Sequence, residues 1–322
     1  MVLRALGLGD LLTALPALRA LADAFPGHRL VLAAPAVFAP LAWLSGALDR
    51  VADTAPLQPL DRSLHRPDVA VNLHGRGPQS HRVLLATRPG RLIAFAHPDV
   101  PDSAGSPPWA AAEHEVARWC RLLQSSGIPA DPSRLDLLAP GTPPPWAAAE
   151  GATVIHPGAA SGARRWPVDR WAAIAGAAAA AGHRVVVTGR AAEAGLGADV
   201  AARSGLSPDS VLAGRTDLLG VAAVVAAAGR VVCGDTGVAH LATALGTPSV
   251  VLFGPVPPSE WGPPPDRPSH VALWAGRRGD PHAPDPDPGL LRISVEDVLA
   301  ALDGLPPPAR SGAGSRPATP NR

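Results

Sequence analysis

Short runs of β-branched and aliphatic residues alternate along this chain with Ala- and Leu-rich stretches at helical spacing, the pattern of parallel strands covered by helices. In the first half the spacing predicts strands at Val2–Leu6, Arg29–Ala33, Val69–Leu73 and Leu92–Phe95. A helix is expected over Leu15–Ala24, where Pro16 stands at a first helical position. The proline-dense run 140–145 belongs to neither element type and reads as a linker.

A second alternating series then starts afresh. It predicts strands at Thr153–His156, Arg184–Thr188, Arg230–Cys233 and Ser249–Phe253, with helices at Val168–Ala181, Ala191–Ser204, Leu218–Ala228 and Gly237–Leu245. Residues 254–290 are proline-rich. Ser294-Val-Glu-Asp297 resembles a capping box that opens a last helix reaching about Leu302. The stretch 306–322 has no periodicity and few apolar residues, so disorder is expected. The resulting division is a first α/β domain over 1–140, a linker over 141–150, a second α/β domain over 151–305 and the tail.

A length of 322 residues agrees with two domains. With 28 basic and 27 acidic groups, the net charge of +1 offers no global attraction for nucleic acid or an anionic membrane, so binding must come from a local site. Every basic residue is Arg and Tyr is absent, a bias that looks like GC-rich coding and strips Ala and Arg counts of functional weight. Cys120 and Cys233 stand alone, without metal-ligand spacing, and read as small core residues in a reducing compartment. The N-terminus lacks the apolar block of a signal peptide, and the longest apolar span, Leu218 to Gly229, falls short of the roughly 20 residues a bilayer crossing needs. A soluble, cytoplasmic protein is expected, with peripheral contact at the inner face of the membrane as the most it would make.

Ligands of open parallel sheets bind beyond the carboxyl ends of strands, so the strand-to-helix junctions carry the candidate chemistry. At the first, Gly7-Leu8-Gly9-Asp10, two glycines permit a sharp turn and present a carboxylate, though an Asp capping a helix explains the same residues. The dinucleotide fingerprint needs a third glycine where this chain has Leu12, which removes a nicotinamide-dependent oxidoreductase. At the second, His156-Pro-Gly-Ala-Ala-Ser-Gly-Ala-Arg-Arg-Trp-Pro167, Arg164 and Arg165 are suited to hold a phosphate; a solvated basic loop is the plainer reading. At the third, Cys233-Gly-Asp-Thr-Gly-Val-Ala-His240, a strand runs straight into a helix. Amides at Thr236, Gly237 and Val238 would offer an anion site, with His240 one turn further on. Asp235 as a plain cap and His240 as a core histidine would explain each singly.

Taken in order, Gly-Leu-Gly-Asp10, Leu15-Pro-Ala-Leu-Arg-Ala-Leu21, His-Pro-Gly-Ala with Arg-Arg-Trp-Pro, Gly-Asp-Thr-Gly-Val-Ala-His-Leu241, Ala244-Leu-Gly-Thr-Pro248, Phe253-Gly-Pro255 and Trp261-Gly262 closely resemble glycosyltransferase family 9, the ADP-heptose:lipopolysaccharide heptosyltransferase type. The resemblance implies a GT-B architecture: two Rossmann-like domains with parallel sheets facing across a cleft, acceptor on the first, nucleotide-sugar on the second, and the last helix packed back toward the first. It further implies an inverting reaction without metal or other cofactor, with a nucleotide-diphosphate sugar such as ADP-heptose as co-substrate. That suits Asp285-Pro-Asp287, the one Asp-x-Asp, which lies in apparent linker and would be a poor metal site. Family members commonly carry a few residues before the first strand, which suggests a true start upstream of Met1.

Position by position, Asp10 matches the family's general-base candidate. Asp235, Thr236, Gly237 and His240 match its donor site, Glu193 the acidic residue at the ribose, and Arg164 a place usually held by Lys, where it would neutralise the departing diphosphate; Arg165 remains only its candidate partner in holding a phosphate. On the acceptor side Asn72, His74 and Arg76 close a strand, where capping roles explain them equally well. His114 and Glu115 read as structural, and Trp43, Trp109, Trp119 and Trp171 as core or interface residues. The acceptor implied is a hydroxyl of a cell-surface glycan, a lipid-linked saccharide or a small metabolite. A non-catalytic nucleotide-sugar-binding protein is the alternative; it would need Asp235 to His240 but not Asp10.

Overall fold

The computed structural model describes residues 1–141 and 149–306. The expected linker at 141–150 and the expected disordered tail at 306–322 therefore lie, apart from their edge residues, outside the described residues.

The first domain holds a five-stranded parallel sheet of β1 (Val2–Leu3), β2 (Val31–Ala34), β3 (Arg50–Asp53), β4 (Val69–Asn72) and β5 (Arg91–Ile93), in the spatial order β3-β2-β1-β4-β5. Its helices are α1 (Leu8–Thr13), α2 (Leu15–Ala24), α3 (Ala39–Trp43), α4 (Gln79–Leu85) and α5 (Glu115–Gln124). Leu18, Leu21, Leu122 and Trp119 bury one face of the sheet around Val71 and Phe95. Leu60, Leu64 and Leu84 bury the other, against Leu3, Ala33 and Ala70.

The second domain repeats the plan with β6 (Thr153–His156), β7 (Val185–Val187), β8 (Arg230–Gly234), β9 (Ser249–Phe253) and β10 (His270–Trp274), ordered β10-β9-β8-β6-β7 and parallel throughout. Its helices are α6 (Val168–Ala180), α7 (Ala194–Ser204), α8 (Leu218–Ala227), α9 (Gly237–Leu245), α10 (Pro258–Trp261) and α11 (Val295–Asp303). Successive strand residues face opposite layers, as a two-residue period requires. Val154 and Val231 meet α8 and α9, while Ile155 and Val232 meet Trp171, Ile174 and Val298.

The core around Val154 does not stop at the domain boundary. Leu12, Leu15 and Leu41 of the first domain join Val238, Leu241 and Ala242 of the second, so α1 packs on α9 and α3 on α8. Glycine makes this approach close: a Cβ on Gly237 would stand 2.7 Å from the Leu8 side chain, and one on Gly9 would stand 2.8 Å from the His240 ring.

Several expectations need correction. Strands β3 and β10 were not expected: in β3 only Ala52 is buried, between charged ends, and β10, His-Val-Ala-Leu-Trp, lies inside the proline-rich 254–290 stretch. Helix α11 has its capping box, Ser294 and Asp297 each accepting the other's backbone N–H. Its main packing is instead within the second domain, where Val298 and Leu302 belong to the core and α11 packs on α6, β9 and β10. Trp119 and Trp171 are buried, whereas Trp43, at the end of the short α3, is 57% exposed.

The stretch around Asp285-Pro-Asp287 is not slack linker. Asp287 is buried and accepts the N–H groups of Gly289 (2.7 Å) and Leu290 (3.2 Å). The segment also bonds the loop after β6 at three points: Ala163 N–H to the Ala283 carbonyl (3.0 Å), Asp287 N–H to the Ala163 carbonyl (3.1 Å), and the Ser161 hydroxyl to the Pro281 carbonyl (2.6 Å). A Cβ on Gly162 would coincide with the Pro284 carbonyl. The prolines thus form a strap across the loop that carries Arg164.

Candidate active site

Each sheet reverses its strand order beside the domain's first strand, between β1 and β4 and between β6 and β8. Loops leaving two such neighbours in opposite directions open a crevice at the carboxyl ends of the strands. The loops concerned carry Asp10 and His74 in the first domain, Arg164 and Thr236 in the second. Between the domains lies a cleft of about 560 Å³, lined by Leu8, Asp10 and Phe38 on one side and by His156, Arg164, Glu193, Thr236 and Gly237 on the other. A second cavity, about 350 Å³, sits at the amino ends of the first sheet around Met1, Phe25 and Val69, away from these loops.

On the first-domain side, one Asp10 carboxylate oxygen accepts the Gly7 N–H (3.0 Å), so Asp10 does cap α1. The other lies 3.3 Å from a guanidinium nitrogen of Arg4, a buried residue that the sequence reading passed over. The side chain of Asp10 is 26% exposed, enough to meet a ligand in the cleft. Asn72 proves structural: its amide donates to the Gly75 carbonyl (3.1 Å) and Ser80 hydroxyl (2.9 Å), while its oxygen accepts the His74 N–H (2.9 Å). It has little left for an acceptor. Burial, with Arg4 nearby, pushes His74 down to about 4, which keeps its ring neutral at pH 7, and its Nδ1 is buried without a partner. Arg76 is exposed and does not line the cleft.

On the second-domain side, α9 opens at Gly237 with no side-chain cap, leaving its first amides and dipole directed outward. Thr236 Oγ1 is buried against the Cys233 thiol and meets no nitrogen or oxygen partner among the described residues. Thr216, also on the cleft wall and not singled out from the sequence, has a buried hydroxyl with no hydrogen-bond partner among the described residues. Arg164 donates to the Asp235 carbonyl (3.1 Å) and stands 3.9 Å from its carboxylate. Asp235 itself is buried behind the wall, and burial lifts its carboxyl to about 6 although Arg164 pulls it down.

Glu193 lies on the cleft, where it accepts the Arg190 N–H (2.8 Å) and guanidinium (2.7 Å). Burial works against its charge, but these bonds and the nearby His156 and Arg190 outweigh it, so the carboxyl stays below its ordinary value. His156 lines the same wall, bonded through Nδ1 to the Thr188 hydroxyl (3.0 Å) and held neutral by burial, at about 4.

Two residues expected on the donor side lie outside the cleft lining. Arg165 points away, exposed, with its Nε on the Ala159 carbonyl (3.1 Å), so the two adjacent arginines do not form one phosphate fork. His240 is on α9 as expected, but its ring faces Gly9 and stacks edge-on with Trp261 (5.9 Å) at the domain contact, outside the cleft that Thr236 lines. Both cysteines are buried, Cys120 raised to about 12 by burial.

Residues 106–284 match the family model described as glycosyltransferase family 9 (heptosyltransferase). Lipopolysaccharide heptosyltransferase 2 of Escherichia coli (strain K12) is 32% identical over 157 residues, 46% of this chain and 45% of that protein. The match thus spans about half the length of that curated relative. Among solved structures, the family 9 glycosyl transferase from Veillonella parvula DSM 2008 superposes with a TM-score of 0.79 at 18% identity, covering 94% of this chain and 95% of that one. The E. coli ADP-heptose lps heptosyltransferase II gives 0.76 at 21%, covering 94% and 96%. At these identities the superpositions speak for the fold, two parallel-sheet domains in a GT-B arrangement.

Proposed function

The chain belongs to glycosyltransferase family 9, and from that premise we propose that it transfers a heptose-like sugar, with inversion and without a metal ion, from an ADP-linked donor to an acceptor hydroxyl. The observation that carries this reading is the pairing across one cleft of a clamped carboxylate, Asp10, with the uncapped start of α9, the buried Thr236 hydroxyl and Arg164. The second set suits a diphosphate: amides and a helix dipole favour the anion, and the guanidinium gains strength as charge grows on the departing group. Asp10 suits the acceptor. It takes the hydroxyl proton while the oxygen's electron pair forms the bond to the anomeric carbon, and the bond to the diphosphate breaks with its pair leaving on the nucleotide. Attack from the face opposite the leaving group gives inversion.

The solved heptosyltransferases whose descriptions name ADP or ADP-heptose support an ADP-linked donor. The curated relatives named for lipopolysaccharide support a cell-envelope glycan as acceptor, with lipid-linked saccharides and small metabolites as the other acceptor classes. Glu193 and the hydroxyl of Thr216, both on the cleft wall, would meet the nucleoside in this reading. No described helix is long and apolar enough to cross a membrane, which fits work from the cytoplasm or at the inner membrane face. Against a binding protein that merely holds the donor stands Asp10, which such a protein would not need to keep in the cleft.

A thermal-shift comparison of ADP-heptose with GDP-, UDP- and dTDP-sugars tests the donor. At a hundred times its dissociation constant a ligand adds about 2.7 kcal/mol of stability, so the right nucleotide should raise the melting temperature by several degrees. Equal shifts from all four, or from none, would remove the ADP reading.

A further inference from the structure

Arg4 is 2% exposed, and a cation so enclosed is costly unless it is paired and fully hydrogen-bonded. Its bonds are therefore informative. One end grips Asp10 twice, through Nε to the backbone carbonyl (2.6 Å) and through a terminal nitrogen to the carboxylate (3.3 Å). The same nitrogen reaches the hydroxyl of Thr13, one turn further along α1, at 3.2 Å, and the remaining nitrogen donates to the Leu73 carbonyl beneath His74. The guanidinium lies 4.8 Å from the Trp119 ring centre, which fixes its plane.

Its counter-ion is Glu115 at 2.9 Å, contributed by α5 from the other end of the domain sequence. Glu115 also accepts the Trp119 indole N–H (2.8 Å) and pairs with Arg118. Burial opposes its charge, but Arg4, Arg118 and these bonds outweigh burial, so the carboxyl is held below its ordinary value. Glu115 thus favours its charged form.

We propose that Arg4 and Glu115 are a positioning pair for the base, Arg4 clamping Asp10 and Glu115 serving as the counter-ion that leaves Asp10 free to take up a proton. The proposal rests on Asp10 being the base. Each turnover moves one proton from the acceptor hydroxyl to the Asp10 carboxylate, which becomes neutral until it returns the proton to water. Were Asp10 the sole partner of Arg4, that step would strand a buried cation. With Glu115 in place, though it is shared with Arg118, Arg4 keeps a carboxylate partner at 2.9 Å through both states. A salt bridge needed for the fold alone would be complete between Arg4 and Glu115, and would not require two bonds to the first turn of α1.

The test compares full-length Arg4→Lys, Glu115→Gln and Asp10→Asn with the parent, using ADP-heptose as donor and a heptose-free lipopolysaccharide core as acceptor, alongside melting temperatures. Lys keeps the charge but cannot reach both the carbonyl and the carboxylate. A misplaced base costs up to about 10²-fold, so Arg4→Lys should lower kcat by roughly 10- to 100-fold while donor KM stays within about twofold. Glu115→Gln should do the same from the counter-ion side, which keeps the proposal open to refutation should either variant fail to fold. Arg4→Ala should regain part of its turnover on adding guanidinium chloride at low millimolar levels, and none with sodium chloride. If both Arg4→Lys and Glu115→Gln turn over at the parental rate and only melt earlier, while Asp10→Asn has lost transfer, the pair is structural and the proposal falls, with the base assignment intact. If Asp10→Asn transfers at the parental rate, the base assignment falls and the pair with it.

Discussion

Replacing Asp235 with Asn should stabilise the protein, and by more as the pH rises. Burial under the start of α9 lifts this carboxyl from 3.8 to about 6, Arg164 opposing the shift without cancelling it. At 1.36 kcal/mol per unit, a rise of about two units means that holding the ionised form in the folded state costs about 3 kcal/mol. A carboxyl raised on folding binds protons more tightly when folded, so its cost is absent below about pH 4, grows as the pH rises through 6, and is full above that. The same two values put it at about 1.6 kcal/mol at pH 5 and about 3 kcal/mol at pH 8. Asn fills the same space without the charge, and the bond from Arg164 to the residue 235 carbonyl survives. The variant's advantage should therefore widen by about 1.4 kcal/mol between pH 5 and pH 8, roughly 2–5 °C in melting temperature. Differential scanning fluorimetry of both proteins at the two pH values reads this directly, since other titrating groups are common to both. The same variant should bind ADP-heptose more weakly, because the charge that orients Arg164 is gone. A melting-temperature difference that does not change with pH, or a variant less stable at pH 8, would show that no strained carboxylate is buried there.

Arg164→Ala should lower turnover by about 10²-fold with a smaller loss of donor affinity, and Arg164→Lys should retain much of the activity, because charge on the diphosphate grows only as the sugar bond breaks; equal turnover in the Ala variant would return Arg164 to a plain loop role. Gly162→Ala should melt earlier and bind ADP less tightly by calorimetry, since the added methyl would occupy the place of the Pro284 carbonyl and lift the proline strap from the Arg164 loop; unchanged ADP affinity would show that the strap does not position that loop.

The sequence carried most of the central elements, because interior parallel strands are apolar on both faces and announce themselves: Thr153–His156 and Ser249–Phe253 lie where the pattern puts them, as does helix Gly237–Leu245. It also carried the junction residues Asp10, Arg164 and Thr236 to the cleft, since ligands of parallel sheets bind where strands run into helices; Glu193 came only from the family resemblance. Strands β3 and β10 were not legible for different reasons: β3 buries only Ala52 between charged residues, while β10, His-Val-Ala-Leu-Trp, is apolar but lies within the proline-rich stretch 254–290. Nor was the direction of a side chain on its helix. His240 and Thr236 are one turn apart in sequence, yet the packing of α1 on α9 turns the histidine to Gly9 and leaves the threonine to the cleft. Adjacent Arg164 and Arg165 diverge because the loop beneath them is pinned by a strap more than a hundred residues away. Arg4 and Glu115 are the clearest case: an arginine closing a strand and a glutamate opening a helix carry no local signal, and only the long-range folding of the first domain, which encloses both charges away from water, joins them to Asp10. Local pattern decides which segments are strands and helices and where a ligand can enter. Which charges meet in the dark of the core depends on contacts between distant segments, and those exist only once the chain has folded.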